Sequence, residues 1–154
     1  MPDDPIRLLL DLEEIKQLKA RYCRFVAKED WEGFKNLFTE DLQFITPDGT
    51  LHDGRAVFMA FHEESLEIPK VWGVVHCYGP EITVTGPDTA RGVWAMEDVH
   101  IWPGGEGPPI GHHGYGYYHE DYARVEDGWR FKRIQVIYDR VDPLEGGFPP
   151  GIEH

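Results

Sequence analysis

Leu8, Leu12, Ile15, Leu18, Tyr22 and Phe25 recur at spacings of three and four, with Glu13, Glu14, Lys16 and Lys19 between them. That periodicity predicts a long helix with one apolar stripe. Asp3 or Asp4, followed by Pro5, supplies its start. A second, short helix follows, capped by Asp30 and burying Trp31, Phe34, Leu37 and Phe38. Leu42 to Thr46 reads as a strand, and Pro47-Asp48-Gly49 as a turn. Residues 55 to 67 read as a third helix with Val57, Phe58 and Phe61 inward, ended by Pro69. The period then changes from 3.6 to 2. Strands are predicted over 71–85, 89–102, 111–125 and 129–141, joined by turns at Gly86-Pro87-Asp88 and Glu126-Asp127-Gly128 and by the Gly- and Pro-rich loop 103–109.

Helices first and a meander of long strands afterwards predict an α+β fold, with the helices on one face of a mostly antiparallel sheet. Gly92, Gly114 and Gly116 interrupt these strands, and glycine lets a sheet curl. The expected shape is a cone: a curved sheet wrapped over the first helix around an apolar interior. Residues 1–142 read as one domain, and 143–154 as a Gly- and Pro-rich tail, extended and mobile.

The 154 residues suit one core, and 41% hydrophobic residues with 13% aromatics supply it. A net charge of −13 argues against nucleic acid and anionic membrane surfaces as partners. Two cysteines, Cys23 and Cys77, make no disulfide framework, and no segment resembles a signal peptide or membrane span. A cytoplasmic protein is expected. Val93, Val99, Ile101, Phe131 and Ile137 make the outer sheet face apolar, which predicts a homo-oligomer.

Strand alternation sorts the chemistry-bearing residues. Trp94, Met96, Asp98, His100 and Trp102 share one face of their strand, mixing aromatics with two ionisable groups, as ligand pockets do. The plainer reading puts Asp98 and His100 at a solvated strand end, and both readings stand. Gly116, Tyr118, Glu120 and Tyr122 share a face of the next strand, and Ile134, Val136 and Tyr138 one of the last. With Tyr22 on the first helix and His76 on the first long strand, the candidate lining is Tyr22, His76, Met96, Asp98, His100, Tyr118 and Tyr138. Trp94 and Phe58 are its apolar wall.

Ile15-Lys-Gln-Leu-Lys-Ala-Arg-Tyr22, Asp30-Trp31, Pro80-Glu81-Ile82, Arg91-Gly-Val-Trp-Ala-Met-Glu-Asp98, Gly114-Tyr-Gly-Tyr-Tyr-His-Glu-Asp-Tyr122 and Asp127-Gly128-Trp129 follow one another in an order that resembles the SnoaL-like branch of the nuclear-transport-factor-type superfamily. That group includes scytalone dehydratase, bile acid 7α-dehydratase and hexachlorocyclohexane dehydrochlorinase. The resemblance spans roughly residues 8 to 142. It implies a cystatin-like α+β cone, assembled as a dimer or trimer. It also implies a pocket tyrosine at Tyr22, a strand aspartate at Asp98, and a base histidine at His76 or one residue away. The aspartate that orients this base in many members falls on Ala27, and the bile acid enzyme's last-strand arginine falls on Tyr138.

The reading is cofactor-free proton-transfer chemistry, a lyase or isomerase acting on a small hydrophobic, cyclic molecule. His76 is the expected base, Asp98 its orienting partner, and Tyr22 and Tyr118 the donors. The alternative is a binding protein without catalysis, which Ala27 favours. Zinc on His112-His113 with His119, or on Asp98 with His100, is a third option. It is disfavoured because adjacent strand residues point to opposite faces and the spacing matches no standard site. No metal and no cofactor are therefore expected.

Overall fold

The computed structural model describes residues 4–65 and 72–149. Helix α1 spans Pro5–Lys28, with the Asp4 side chain accepting from the Ile6 N–H at 2.9 Å and Pro5 opening the first turn. Helix α2 is Trp31–Lys35, capped by Asp30, which accepts from Gly33 N at 3.0 Å. Next come strands β1 (Phe38–Ile45) and β2 (Leu51–Asp53), helix α3 (Arg55–Ser65), and strands β3 (Trp72–Val84), β4 (Thr89–Trp102), β5 (Ile110–Val125) and β6 (Gly128–Pro143). The six strands form one curved, unclosed sheet in the order β2-β1-β6-β5-β4-β3. The fold is the expected α+β cone, although β1 joins β6 in parallel, so the sheet is mixed.

Several elements depart from expectation. Phe38 belongs to β1 rather than α2, because the Phe131 N–H donates to Leu37 O at 2.9 Å and draws the chain into the sheet. The short β2, unforeseen, pairs with β1 through Gln43 to Ile45. On α3, Phe58 and Met59 are buried while Val57 and Phe61 are exposed. The helix is set by Phe58 stacking on Phe44 with ring centroids 4.2 Å apart, and Phe61 stacks instead on His52. Pro69 lies outside the described residues. Phe131, expected outside, is wholly buried against Tyr22 and Phe38. β6 runs to Pro143, and the start of the expected tail folds back. Leu144 N donates to Gly111 O at 3.0 Å, and Gly111 N to Gly147 O at 2.9 Å.

The core lies between α1 and the concave face of the sheet, around Ile15, Leu18, Tyr22, Phe34, Phe38, Trp129, Phe131 and Ile134. Polar bonds also hold α1 to the β5–β6 hairpin. Buried Asp11 accepts from Arg124 at 2.7 Å and from Trp129 Nε1 at 3.3 Å, and Glu14 accepts from Trp129 N at 3.0 Å. Among the described residues no helix is long and apolar enough to cross a membrane.

Candidate functional site

β4 alternates as its sequence demands: Trp94, Met96 and Asp98 are buried on the concave face, while Arg91 points to solvent. Asp98 is only 4% exposed and lies opposite Gly114 of β5. Two residues on, His100 faces His112 directly across the same strand pair. Four side chains meet at this end of the sheet. The Tyr138 hydroxyl, from β6, donates to Asp98 Oδ2. His100 Nε2 is 3.4 Å from Oδ2, and His112 Nε2 is 3.5 Å from Oδ1. The imidazoles of His100 and His112 are 5.2 Å apart between centroids, with Trp102 beside both.

Gly114 makes this meeting possible. A Cβ there would stand 2.5 Å from both Asp98 Oδ1 and the Tyr138 ring, so any side chain would drive the two apart. At Gly116 a Cβ would collide with the Ile137 carbonyl where the β5–β6 register shifts. The glycines expected to relax the sheet therefore also clear space for close contact.

Burial pushes the Asp98 carboxyl upward, but the contacts from His100, His112 and Tyr138 outweigh it and hold the group well below the usual carboxylate range. Asp98 is thus an anion at neutral pH, able only to accept. Tyr138, Tyr22 and Tyr118 move the other way. Burial raises each phenol, reinforced at Tyr138 by the Asp98 charge, so all three stay protonated and can donate. Tyr22 and Tyr118 pack edge to face at 5.8 Å. They sit deeper in the cone, where Tyr22 also meets Phe34 at 5.1 Å.

Below this cluster lies a second polar group. Lys19, 1% exposed, donates to Glu120 Oε1. The Tyr122 hydroxyl donates to Glu120 Oε2, and Trp94 Nε1 to that hydroxyl at 3.0 Å. The Lys19 ammonium also stands 3.5 Å from the Tyr118 ring centroid, a buried cation–π contact. In the sequence Lys19 stands among the polar residues between the apolar positions of α1. Its spacing, four after Ile15 and three before Tyr22, puts it on the apolar stripe. An inward carboxylate at Glu120 required a cation there.

Of the expected lining, Tyr22, Phe58, Trp94, Met96 and Tyr118 are all buried. Asp98, His100 and Tyr138 come together, joined by His112, which the sequence reading did not group with them. Its register opposite His100 was the signal that could have found it. His76 does not join them. It is exposed on the convex face, opposite Glu97, while Asp98 lies opposite Val75, which is buried. The one-residue ambiguity at Val75-His76-Cys77 resolves against histidine: Cys77, opposite Met96, faces inward and packs against the core, as does Cys23 of α1. Asp98 is therefore not the partner of His76. Ala27 is exposed near the end of α1, so that position does not face the cluster. His113 is also on the convex face, 3.3 Å from Glu97, which rules out a shared site with His112.

The SnoaL-like domain family matches residues 7–135, and the chain belongs to it. A curated relative, "Probable cyclase FGR4" of Gibberella zeae, is 27% identical over 136 residues, covering 79% of this chain and 87% of the relative. Among solved structures, a type 2 hexachlorocyclohexane dehydrochlorinase superposes with a TM-score of 0.81 at 15% identity, over 97% of this chain and 100% of the other. A candidate scytalone dehydratase from Novosphingobium aromaticivorans gives 0.78 at 18% identity, over 95% and 97%. Identities this low establish the fold alone. Members of this fold include dehydratases, isomerases and cyclases.

Proposed function

We propose that this chain is a cofactor-free lyase or isomerase that moves a proton on a small hydrophobic, cyclic substrate at the Asp98–His100–His112–Tyr138 cluster. The observation that carries it is a buried, ionised carboxylate held between two imidazoles and a phenol on the concave face of the sheet. An imidazole takes a proton from carbon near neutral pH, and an adjacent carboxylate fixes its tautomer and stabilises the imidazolium that forms. His100 is the base, being the less buried of the two imidazoles, with side-chain exposures of 14% and 5%. Asp98 orients it, and Tyr138 fixes Asp98. The tyrosine pair Tyr22 and Tyr118 lies deeper, as protonated donors for a leaving or enolic oxygen. The aromatic walls, Phe58 and Trp94, favour a flat or cyclic substrate. The name of the sequence relative, a probable cyclase, supports an enzymatic reading.

The alternative of a carrier without catalysis drew on Ala27. What supports the catalytic reading over it is the Asp98 carboxylate beside His100, which can take the orienting role. The test is solvent deuterium exchange, read by NMR, on a panel of cyclic ketones and hydroxylated arenes. Wild-type protein is expected to exchange an activated C–H of at least one panel member. Asp98→Asn should slow that exchange by about 10²–10⁴-fold. A ligand retained for days with no exchange, or equal rates for the two proteins, would overturn the proposal.

A further inference from the structure

We propose that Asp98, His100 and His112 also form a binding site for a divalent transition-metal ion such as zinc, and that its capture switches proton transfer off. The binding half stands on geometry. The switching half rests on the proton-transfer reading above.

The donor set is two imidazoles and one ionised carboxylate, which suits zinc and its first-row neighbours. Each residue offers one ligand atom, and the three atoms lie within 4.8 Å of one another. His112 Nε2 stands 3.5 Å from Asp98 Oδ1, whereas the 3.4 Å from His100 Nε2 runs to the other oxygen, Oδ2. Nitrogen and oxygen ligands about 2.0–2.2 Å from a tetrahedral ion stand about 3.3–3.6 Å apart. The His112–Oδ1 pair already has that spacing, and side-chain rotation of His100 would bring the third donor to the same ion.

A second observation points to a ligand. Asp98 Oδ1 and both ring nitrogens of His112 are buried without a hydrogen-bond partner, and His112 is 4% exposed. Buried polar atoms are nearly always paired, and of these Asp98 Oδ1 and His112 Nε2 face one another at 3.5 Å. The other carboxylate oxygen is occupied: Tyr138 holds Oδ2, the kind of outer contact that orients a metal-bound carboxylate and leaves its remaining lone pairs directed inward. The ligands sit on neighbouring strands, with His100 and His112 in direct register, so the backbone already fixes their spacing. Three protein ligands leave a fourth position open.

Capture has a chemical consequence. A histidine whose lone pair is bound to zinc cannot accept a proton, so the ion and the reaction exclude each other at His100. Coordination releases any proton held by the imidazoles and changes no oxidation state.

The experiment uses chelator-stripped protein purified without a histidine tag and titrated calorimetrically with zinc chloride. One ion per chain is expected. His112→Ala and Asp98→Asn should each weaken binding by more than a hundredfold, and Tyr138→Phe by about 10–100-fold, whereas His113→Ala should leave it unchanged. A readout independent of folded variants is cobalt(II) loading of wild-type protein, which should shift the imidazole protons of His100 and His112 in paramagnetic NMR. No uptake, or uptake indifferent to His112→Ala with unshifted imidazole protons, overturns the site. Zinc should stop deuterium exchange, and a chelator should restore it. Exchange continuing with zinc bound overturns the switch while the site stands. If metal-free protein never exchanges, the proton-transfer reading fails, and the titration still decides the site.

Discussion

The cluster is decided by which way a few residues point. Asp98 reads correctly from strand alternation, because an unbroken run from Thr89 to Trp102 keeps its parity. His76 does not: its strand is irregular between Tyr78 and Glu81, and nothing in Val75-His76-Cys77 says which residue turns inward. A shift of one residue moved a histidine from concave to convex face. Gly114 is the glycine on which the meeting of Asp98 and Tyr138 depends. Gly114→Ala would force Asp98 and Tyr138 apart, and overpacking of this kind costs about 1–3 kcal/mol. Thermal denaturation should show a lowered midpoint, and exchange activity should fall with it. An unchanged midpoint with full activity would show that the strands can yield there.

Helix α1 and strand β5 carry the rest. The periodicity of α1 was legible, yet Lys19 and Asp11 were hidden in it, because a charged residue on an apolar stripe looks like the edge of that stripe. Their partners, Glu120, Arg124 and Trp129, lie more than a hundred residues away in sequence. Buried ion pairs give an asymmetric prediction. Lys19→Met leaves Glu120 charged and unpaired and should destabilise the fold by about 3–5 kcal/mol. Replacing both, Lys19→Met with Glu120→Leu, should recover much of that loss, although Tyr122 then loses its acceptor. Chemical denaturation of the single and double variants measures the difference. A double variant as unstable as the single one would mean that the pair itself, rather than avoidance of a lone charge, holds α1 on the sheet. Short elements were the illegible ones. The three residues of β2 are too few for a period, and the parallel β1–β6 pairing is a long-range choice that local pattern does not encode.

At the scale of the molecule, the α+β cone followed from the order of helices and strands, and the family match agrees with it. Of the residues expected on the apolar outer sheet face, Val93, Val99, Ile101 and Ile137 lie there and Phe131 does not. Phe131 is buried, and the exposed side chains there are Trp72, Tyr78, Tyr115, Tyr117 and Ile137. We propose that this aromatic face meets a second copy of the chain, since exposed aromatics of this density are uncommon on monomers. Sedimentation at micromolar concentration should show a dimer or trimer that Tyr117→Lys weakens, and a stable monomer would refute it. The account as a whole turns on the claim that proton transfer occurs on the concave face, at Asp98 and its histidines. The direct measurement compares His100→Ala with His76→Ala in the deuterium-exchange assay. The expected result is a loss of about 10²–10⁴-fold for His100→Ala and wild-type exchange for His76→Ala. Full exchange by His100→Ala together with its loss in His76→Ala would contradict the account.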